Sequence, residues 1–280
     1  MRNFKLFAQI MTLMSGLLFF AGCQQETVSP NASIEDRDSR PTLTPGGTTS
    51  GYYGLGPSNQ VMKFSLRPAY SMQATVPIQG MRAGESLVAI DTRPATRSLY
   101  GVSSMSRIYL IDPASGLTKP LSQANFSPAI DGATVGFDFN PTTDRITLVT
   151  DKGQTLSIHP STGQVVAIGT TGLTGVNGIT YYGDLMYAID ATTGIVSIVD
   201  ASGNTKPIGT TGLTIAGEGG FDSKGGLLLS VLNASGVVQN ASSAQDDLTQ
   251  QNYRLYSVDP TTGQVTNLGI VPPMIGLAAQ

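Results

Sequence analysis

The sequence predicts an all-β protein: a five-bladed β-propeller closed by pairing the C-terminal strand with the N-terminal blade. Three observations predict it. Val88–Val102 aligns with Val135–Val149 at an offset of 47 residues without a gap, and the same offset carries Ile111–Gly116 onto Ile158–Gly163. Apolar residues alternate just before each Asp-Pro or His-Pro turn: Tyr109 and Ile111, Leu156 and Ile158, Tyr256 and Val258. Period two is the pattern of a strand with one buried face. Finally, three strand-type segments precede the repeats and one follows them, and together these make one more complete unit. A four-stranded repeat of about 40 residues is the sequence signature of a propeller blade. A β-sandwich is the alternative, because isolated strand patterns fit both.

The chain opens with Arg2 and Lys5, a short positive segment, followed by Leu6–Gly22, which carries no charge over 17 residues. A membrane-spanning helix needs about 20 apolar residues, so this length suits the core of a signal peptide instead. Phe20, Ala21, Gly22 and Cys23 close it in a way that resembles a lipobox. Ala21 and Gly22 are small, and Cys23 supplies a thiol for thioether linkage to a diacylglycerol. Phe20 stands where such motifs usually carry Leu. Residues 1–22 are therefore expected to be removed as a lipoprotein signal peptide, leaving Cys23 lipidated and the membrane as a partner. A single acyl chain anchors only marginally, so the resemblance implies a diacyl or triacyl group. An ordinary signal peptide with an unrelated cysteine is the alternative. Gln24 follows the cysteine, with no Asp there to signal inner-membrane retention. The expected address is the cell envelope, at the outer membrane or cell surface rather than the inner membrane.

Residues 23–50 read as a linker. Between Gln24 and Ser50 only Val28, Ala32, Ile34 and Leu43 are apolar, and Pro30, Pro41, Pro45 and the Gly46-Gly47 pair break regular structure. Such a segment buries too little apolar surface to offset its ordering entropy, and its random-coil span is roughly 30 Å. The propeller domain is expected over 51–280, long enough for a sizeable core.

The first blade takes Tyr52–Leu55, Gln60–Leu66 and Met72–Ile78 from the start of the domain and Met274–Ala279 from its end. The second, third and fourth blades cover about 86–122, 135–170 and 177–210. The fifth covers 216–270, interrupted by a polar insertion from Leu232 to Asn252. Within the second blade the strand segments are Leu87–Thr92, Ser98–Val102, Arg107–Ile111 and Leu117–Leu121. Val258–Gly263 is a third copy of the turn, Val199–Gly203 a shortened one, and Gly169–Thr174 recurs as Gly209–Thr214. The turn has a local cause. Asp at its first position accepts backbone hydrogen bonds, Pro presets φ at the second, and the following Gly adopts the left-handed conformation that closes the hairpin.

Composition excludes several kinds of chemistry. The full sequence has a net charge of −3, and losing residues 1–22 removes Arg2 and Lys5 but no acid. No basic block remains, so nucleic acid is not an expected partner. Cys23 is the single cysteine, and its lipidation would leave no thiol for a disulfide, a thiolate nucleophile or a metal. His159 is the single histidine, which rules out a multi-histidine zinc site. Charged residues make up 12% of the chain, against about 25% in average proteins. With 33 glycines and no tryptophan, the composition is that of a secreted all-β protein.

Glu85–Thr96, Val135–Arg145 and Gly153–Gly163 look like segments of the bacterial family catalogued as domain of unknown function 4394. Gly136–Pro141 is the most specific of the matching pieces, and the likeness extends over about 52–280. It implies a propeller-like fold and export, and it implies no catalytic residue.

Asp91 and Asp138 occupy the same place in the first strand of their blades, and Asp222 occupies a comparable one. In a propeller that strand lines the central channel. A ring of inward carboxylates could bind a cation such as calcium, or supply the paired acids of a glycosidase. A residue that recurs with the repeat is more simply explained by a repeated structural role, in which each Asp bonds backbone groups of its own blade and fixes its turn. These three residues are therefore candidate channel carboxylates, with no catalytic residue, metal ligand or cofactor assigned. His159 stands where Asp112 and Asp259 stand in other copies, so turn capping is its expected role. Four Asn-Ala-Ser or Asn-Phe-Ser sequons, at Asn31, Asn125, Asn233 and Asn240, carry no weight in a bacterial lipoprotein. The insertion 232–252 is a disordered loop or a partner-binding one. The expected function is a non-enzymatic, monomeric binding or scaffold module for a protein or glycan ligand. The alternative is a carbohydrate-acting enzyme that uses channel acids.

Overall fold

The computed structural model describes residues 51–66, 70–233 and 252–280. The segments expected to be a signal peptide and a linker, with Cys23, and residues 234–251 of the insertion lie outside the described residues. Every regular element described is a β-strand, and the strands form five four-stranded antiparallel sheets.

The first sheet contains β1 (Gly51–Gly56), β2 (Gln60–Ser65) and β3 (Ser71–Pro77). The second contains β4 (Leu87–Arg93), β5 (Ser98–Ser103), β6 (Ile108–Ile111) and β7 (Thr118–Pro120). The third contains β8 (Val135–Asn140), β9 (Arg145–Thr150), β10 (Gln154–Ile158) and β11 (Val165–Thr170). The fourth contains β12 (Val176–Tyr182), β13 (Leu185–Asp190), β14 (Ile195–Val199) and β15 (Thr205–Thr210). The fifth contains β16 (Ile215–Ser223), β17 (Leu227–Asn233), β18 (Asn252–Val258) and β19 (Val265–Ile270). The last strand, β20 (Gly276–Ala279), joins the first sheet, whose order is β20-β1-β2-β3.

Each sheet is a blade, and the five expected blades are the five observed. Closure is as expected too: Tyr52 pairs with Ala279 and Leu55 with Gly276. The innermost strands β20, β4, β8, β12 and β16 contact one another in sequence around the ring, and β16 returns to β20. This is a five-bladed propeller, and the sandwich alternative is excluded by five separate sheets in a closed ring. The insertion is narrower than its expected limits, because Leu232 and Asn252 belong to strands. Leu232 pairs with Tyr253 and Asn233 with Asn252, so the segment leaves from the end of the β17–β18 hairpin.

The core lies between the blades. Among the described residues there are five apolar clusters, one at each blade junction. Tyr100, Phe139 and Leu148 fill the junction of the second and third blades. Val149, Ile179 and Met186 fill the next, and Tyr187, Phe221 and Tyr256 the one after. Leu228, Leu255, Phe64 and Leu277 join the fifth blade to the first. Tyr53, Leu55, Ile90 and Tyr109 join the first to the second.

The expectation of one buried face holds for the strands before the turns, and strands nearer the axis depart from it. Inner strands lie between two neighbouring sheets and are buried on both sides; all six residues of β1 are buried, as are the last five of β9. The alternation survives in third strands such as β10, where Leu156 and Ile158 are buried and Ser157 is not. Outer strands β3 and β11 are mostly exposed. Burial in a blade therefore falls from the axis outward, because neighbouring sheets pack face to face near the axis and splay apart at the rim.

The turn chemistry follows its sequence. The Asp112 carboxylate accepts the Ala114 N–H at 3.0 Å and that of Asp259 accepts the Thr261 N–H at 2.8 Å. His159 does the same with its ring: Nδ1 accepts the Ser161 N–H at 3.1 Å. Gly116, Gly163 and Gly263 take φ values of 76°, 66° and 70°, and their N–H groups donate to the carbonyls of Asp112, His159 and Asp259. His159 is a turn cap.

Candidate functional site

The five innermost strands end alike. Each carries a small residue and, two positions later, a residue at one level of the channel. The pairs are Ala89 and Asp91, Gly136 and Asp138, Gly178 and Thr180, Gly220 and Asp222, and Gly276 and Ala278. The small residues sit where the next inner strand passes closest. A Cβ on Gly136 would stand 2.6 Å from the Ile179 nitrogen, and one on Gly178 or Gly220 would stand 2.6 Å from the Cβ of Phe221 or Leu277. That spacing holds the inner strands together and brings the three acids to one level.

All three predicted carboxylates therefore meet in the channel. They are 4%, 7% and 6% exposed for Asp91, Asp138 and Asp222. Each reaches out of its own blade into the next. Asp91 Oδ2 accepts the Phe139 N–H at 2.8 Å. Asp138 Oδ2 accepts the Tyr181 N–H at 2.9 Å. Asp222 Oδ2 accepts the Ala279 N–H. Asp91 and Asp222 also bond the backbone of their own blades, as expected, and beyond that expectation all three residues fasten consecutive blades.

Thr180 and Ala278 stand in the positions before Asp222 and Asp91. There the acid's second oxygen takes the N–H of its own next residue, Thr92 at 2.6 Å for Asp91 and Ser223 at 2.5 Å for Asp222. The Ser223 hydroxyl then donates to the Tyr181 carbonyl and ties the fourth and fifth blades together. Sequence reasoning missed Thr180 and Ala278, although both lie two residues after a repeated glycine.

Burial raises all three acids. Asp138 is pushed up to about 6 by desolvation, with the Thr180 hydroxyl, Asp91 and the Tyr181 N–H pulling the other way. Asp91 is raised well above the ordinary carboxylate range by burial and by the charges of Asp138 and Asp222. Asp222 is raised by burial and by Asp138. Like charges in one dry space cannot all ionise. Among the described residues, no group of three or more His, Cys, Asp or Glu side chains is placed to hold a metal ion.

These shifts have a thermodynamic consequence. The folded pKa of Asp138 lies above its unfolded value of about 3.9, so the folded state holds the extra proton between about pH 4 and about 6. Its contribution to stability is present below the unfolded pKa and is lost as pH rises through the folded one. Asp138→Asn keeps an oxygen for the Tyr181 N–H and never ionises. It is expected to be more stable than wild type at about pH 8, by an amount that shrinks towards about pH 4. Urea unfolding across that range measures the difference, and a pH-independent difference refutes it.

A second buried polar cluster lies in the second blade. Glu85 accepts the Tyr109 hydroxyl at 2.6 Å and the Ser103 hydroxyl, and Arg107 stands 3.6 Å from it. Burial pushes Glu85 up, but these partners hold it below the ordinary range, while burial and Glu85 push Tyr109 up to about 12. Its carboxylate oxygens are occupied, and the cluster fastens strands.

Beyond the acids, the channel opens into a cavity of about 270 Å³. Asp91, Asp138, Asp222 and Thr92 line it together with Phe139, Tyr181, Arg97 and Lys224.

Fold and site together define a five-bladed β-propeller whose channel narrows to a ring of buried acids beneath an open cavity. The chain belongs to the family described as domain of unknown function (DUF4394), whose model matches residues 60–278. No curated protein matches it. It is similar to a solved protein of unknown function from Bacteroides caccae, at 12% identity and a TM-score of 0.45, over 83% of this chain and 99% of that one. It is also similar to virginiamycin B lyase from Staphylococcus aureus, at 12% identity and a TM-score of 0.45, over 80% and 71% of the two chains. For hydrazine synthase of Kuenenia stuttgartiensis the values are 14% and 0.41, over 75% of this chain; the chain spans only 59% of the length of that one. Likenesses this distant carry no information on activity.

Proposed function

We propose that this protein is a lipid-anchored, non-enzymatic binding module of the cell envelope, tethered through an acylated Cys23. The observation that carries the non-enzymatic part is the use of the channel acids. Asp91, Asp138 and Asp222 each spend an oxygen on the backbone of the next blade, so a change in their position would loosen the ring. The lipobox-like Ala21-Gly22-Cys23 supports the anchor, Gln24 supports an outer-membrane or surface address, and the lack of a basic block argues against nucleic acid. The partner is a protein or glycan, and the module is a monomer.

The anchor is tested by metabolic labelling with a fatty acid and by detergent phase partitioning. Wild type is expected to take up label and enter the detergent phase, and Cys23→Ser to take up no label and to be left soluble or uncleaved. An unlabelled wild-type chain overturns the anchor. One observation favours a second reading, a carbohydrate-acting enzyme: perturbed acids facing a cavity are a common mark of catalysis, and Asp138 is held at about 6. Turnover of any member of a glycan panel, abolished by Asp138→Asn, would replace the first reading with the second.

A further inference from the structure

Two cations stand at the channel mouth, neither of them in an ion pair among the described residues. Arg97 lies in the turn between β4 and β5, and Lys224 in the turn between β16 and β17. Both turns follow an innermost strand, so both project from the same end of the ring, and both residues line the cavity. Arg97 takes a left-handed backbone, φ 57°, uncommon for a non-glycine residue. Neither side chain makes an ion pair or a side-chain hydrogen bond among the described residues, whereas the nearby Arg93 is paired with Asp144. The two are close enough to feel each other: desolvation, and then the charge of Arg97, hold Lys224 below the ordinary lysine range, against the opposing charge of Asp222. Like charges drawn together at the rim of a cavity, neither of them ion-paired and the three acids lying on its floor, are arranged for an anion from outside.

The rest of the lining limits which anion fits. Phe139, Tyr181, Pro94 and Pro141 supply apolar wall. The Tyr181 hydroxyl is occupied by Asn140 and Thr147, at 3.2 and 3.1 Å, and is not available to a ligand. Thr92 is 6% exposed and lines the cavity, yet its hydroxyl has no hydrogen-bond partner among the described residues. The three acids form the floor. Drug-sized ligands occupy pockets of roughly 300–1,000 Å³, so a cavity of about 270 Å³ suits a smaller molecule. An acidic floor repels a dianion more than a monoanion and accepts hydroxyl groups.

We infer that the channel mouth binds a small hydroxylated carboxylate of monosaccharide size, its carboxylate between Arg97 and Lys224 and its hydroxyls toward Thr92 and the channel acids. This deepens the binding-module reading and rests on it, but not on the lipid anchor. A few well-placed polar groups in a mostly apolar pocket set orientation, and the cations set the requirement for negative charge.

The test is isothermal titration calorimetry of the full chain with D-glucuronate as probe and with D-glucose as its uncharged counterpart. Glucuronate is expected to bind saturably, more weakly as sodium chloride is added, and at least about tenfold more tightly than glucose. Arg97→Ala and Lys224→Ala are each expected to weaken it about tenfold with unchanged melting temperatures, since neither side chain supports the fold. Three results overturn the site: no saturable binding of glucuronate by folded wild type, equal binding of glucose, or unchanged binding by the Arg97→Ala, Lys224→Ala double variant. Loss of fatty-acid labelling would leave this site standing. Hydrolysis of a glucuronide would retain the site and remove the non-enzymatic reading.

Discussion

Deleting residues 272–280 is expected to leave a chain that aggregates or fails to fold. The deletion removes β20, which pairs with β1 from Tyr52↔Ala279 to Leu55↔Gly276. It also removes Met274, Leu277 and Ala278, which are 0%, 3% and 0% exposed. Fully buried Met and Leu side chains contribute roughly 1.5–3 kcal/mol each. The Asp222 carboxylate would lose the Ala279 N–H, and an unpaired buried polar group costs about 1–3 kcal/mol. Set against a total stability of about 5–15 kcal/mol, these losses exhaust most or all of it. The deletion also bares β1 as an apolar sheet edge, which invites pairing between chains. Circular dichroism and light scattering of the truncated chain measure the outcome. A soluble truncation that melts cooperatively within a few degrees of wild type would mean that the ring does not depend on this strand.

The second large effect is expected at Gly220. A Cβ there would stand 2.6 Å from the Leu277 nitrogen as well as from its Cβ. Leu277 belongs to the closing strand, so relief requires the two ends of the ring to separate. Gly220→Val is expected to destabilise the domain by about 3 kcal/mol or more, at the upper end for overpacking. Ala89, the equivalent residue of the second blade, is the natural control. Ala89→Gly creates no clash and costs about 0.5–1 kcal/mol through backbone entropy in a strand. Urea midpoints compare the two. Equal losses at both positions would show that close approach of the inner strands does not govern this level of the channel.

Much of the architecture was legible in the chain. The 47-residue offset marked two blades and, through them, the rest. The three-plus-one split of strand segments marked closure. The role of His159 followed from its alignment with Asp112 and Asp259, because a turn is a local structure whose hydrogen bonds span only a few residues. Asp91 and Asp138 were found for the same reason: the repeat carries them in register. The burial of inner strands on both faces was not legible, because period two is lost when a second sheet covers the solvent side. Nor was the full ring. Thr180 and Ala278 break the Asp pattern, and only the glycines two residues earlier mark their places.

The sequence by itself determined the number of blades, their order, the closing strand and the chemistry of the turns, since each depends on neighbours a few residues apart or on a recurring period. Tertiary structure alone decided where the acids point. Asp91 reaches Phe139, Asp138 reaches Tyr181, and Asp222 reaches Ala279, each across to another blade. It alone brought Arg97 of the second blade and Lys224 of the fifth to one cavity. The reason is geometric. In a closed ring, residues at equivalent places in different repeats become neighbours around the axis, so their partners are set by the radius and closure of the ring and not by any spacing along the chain.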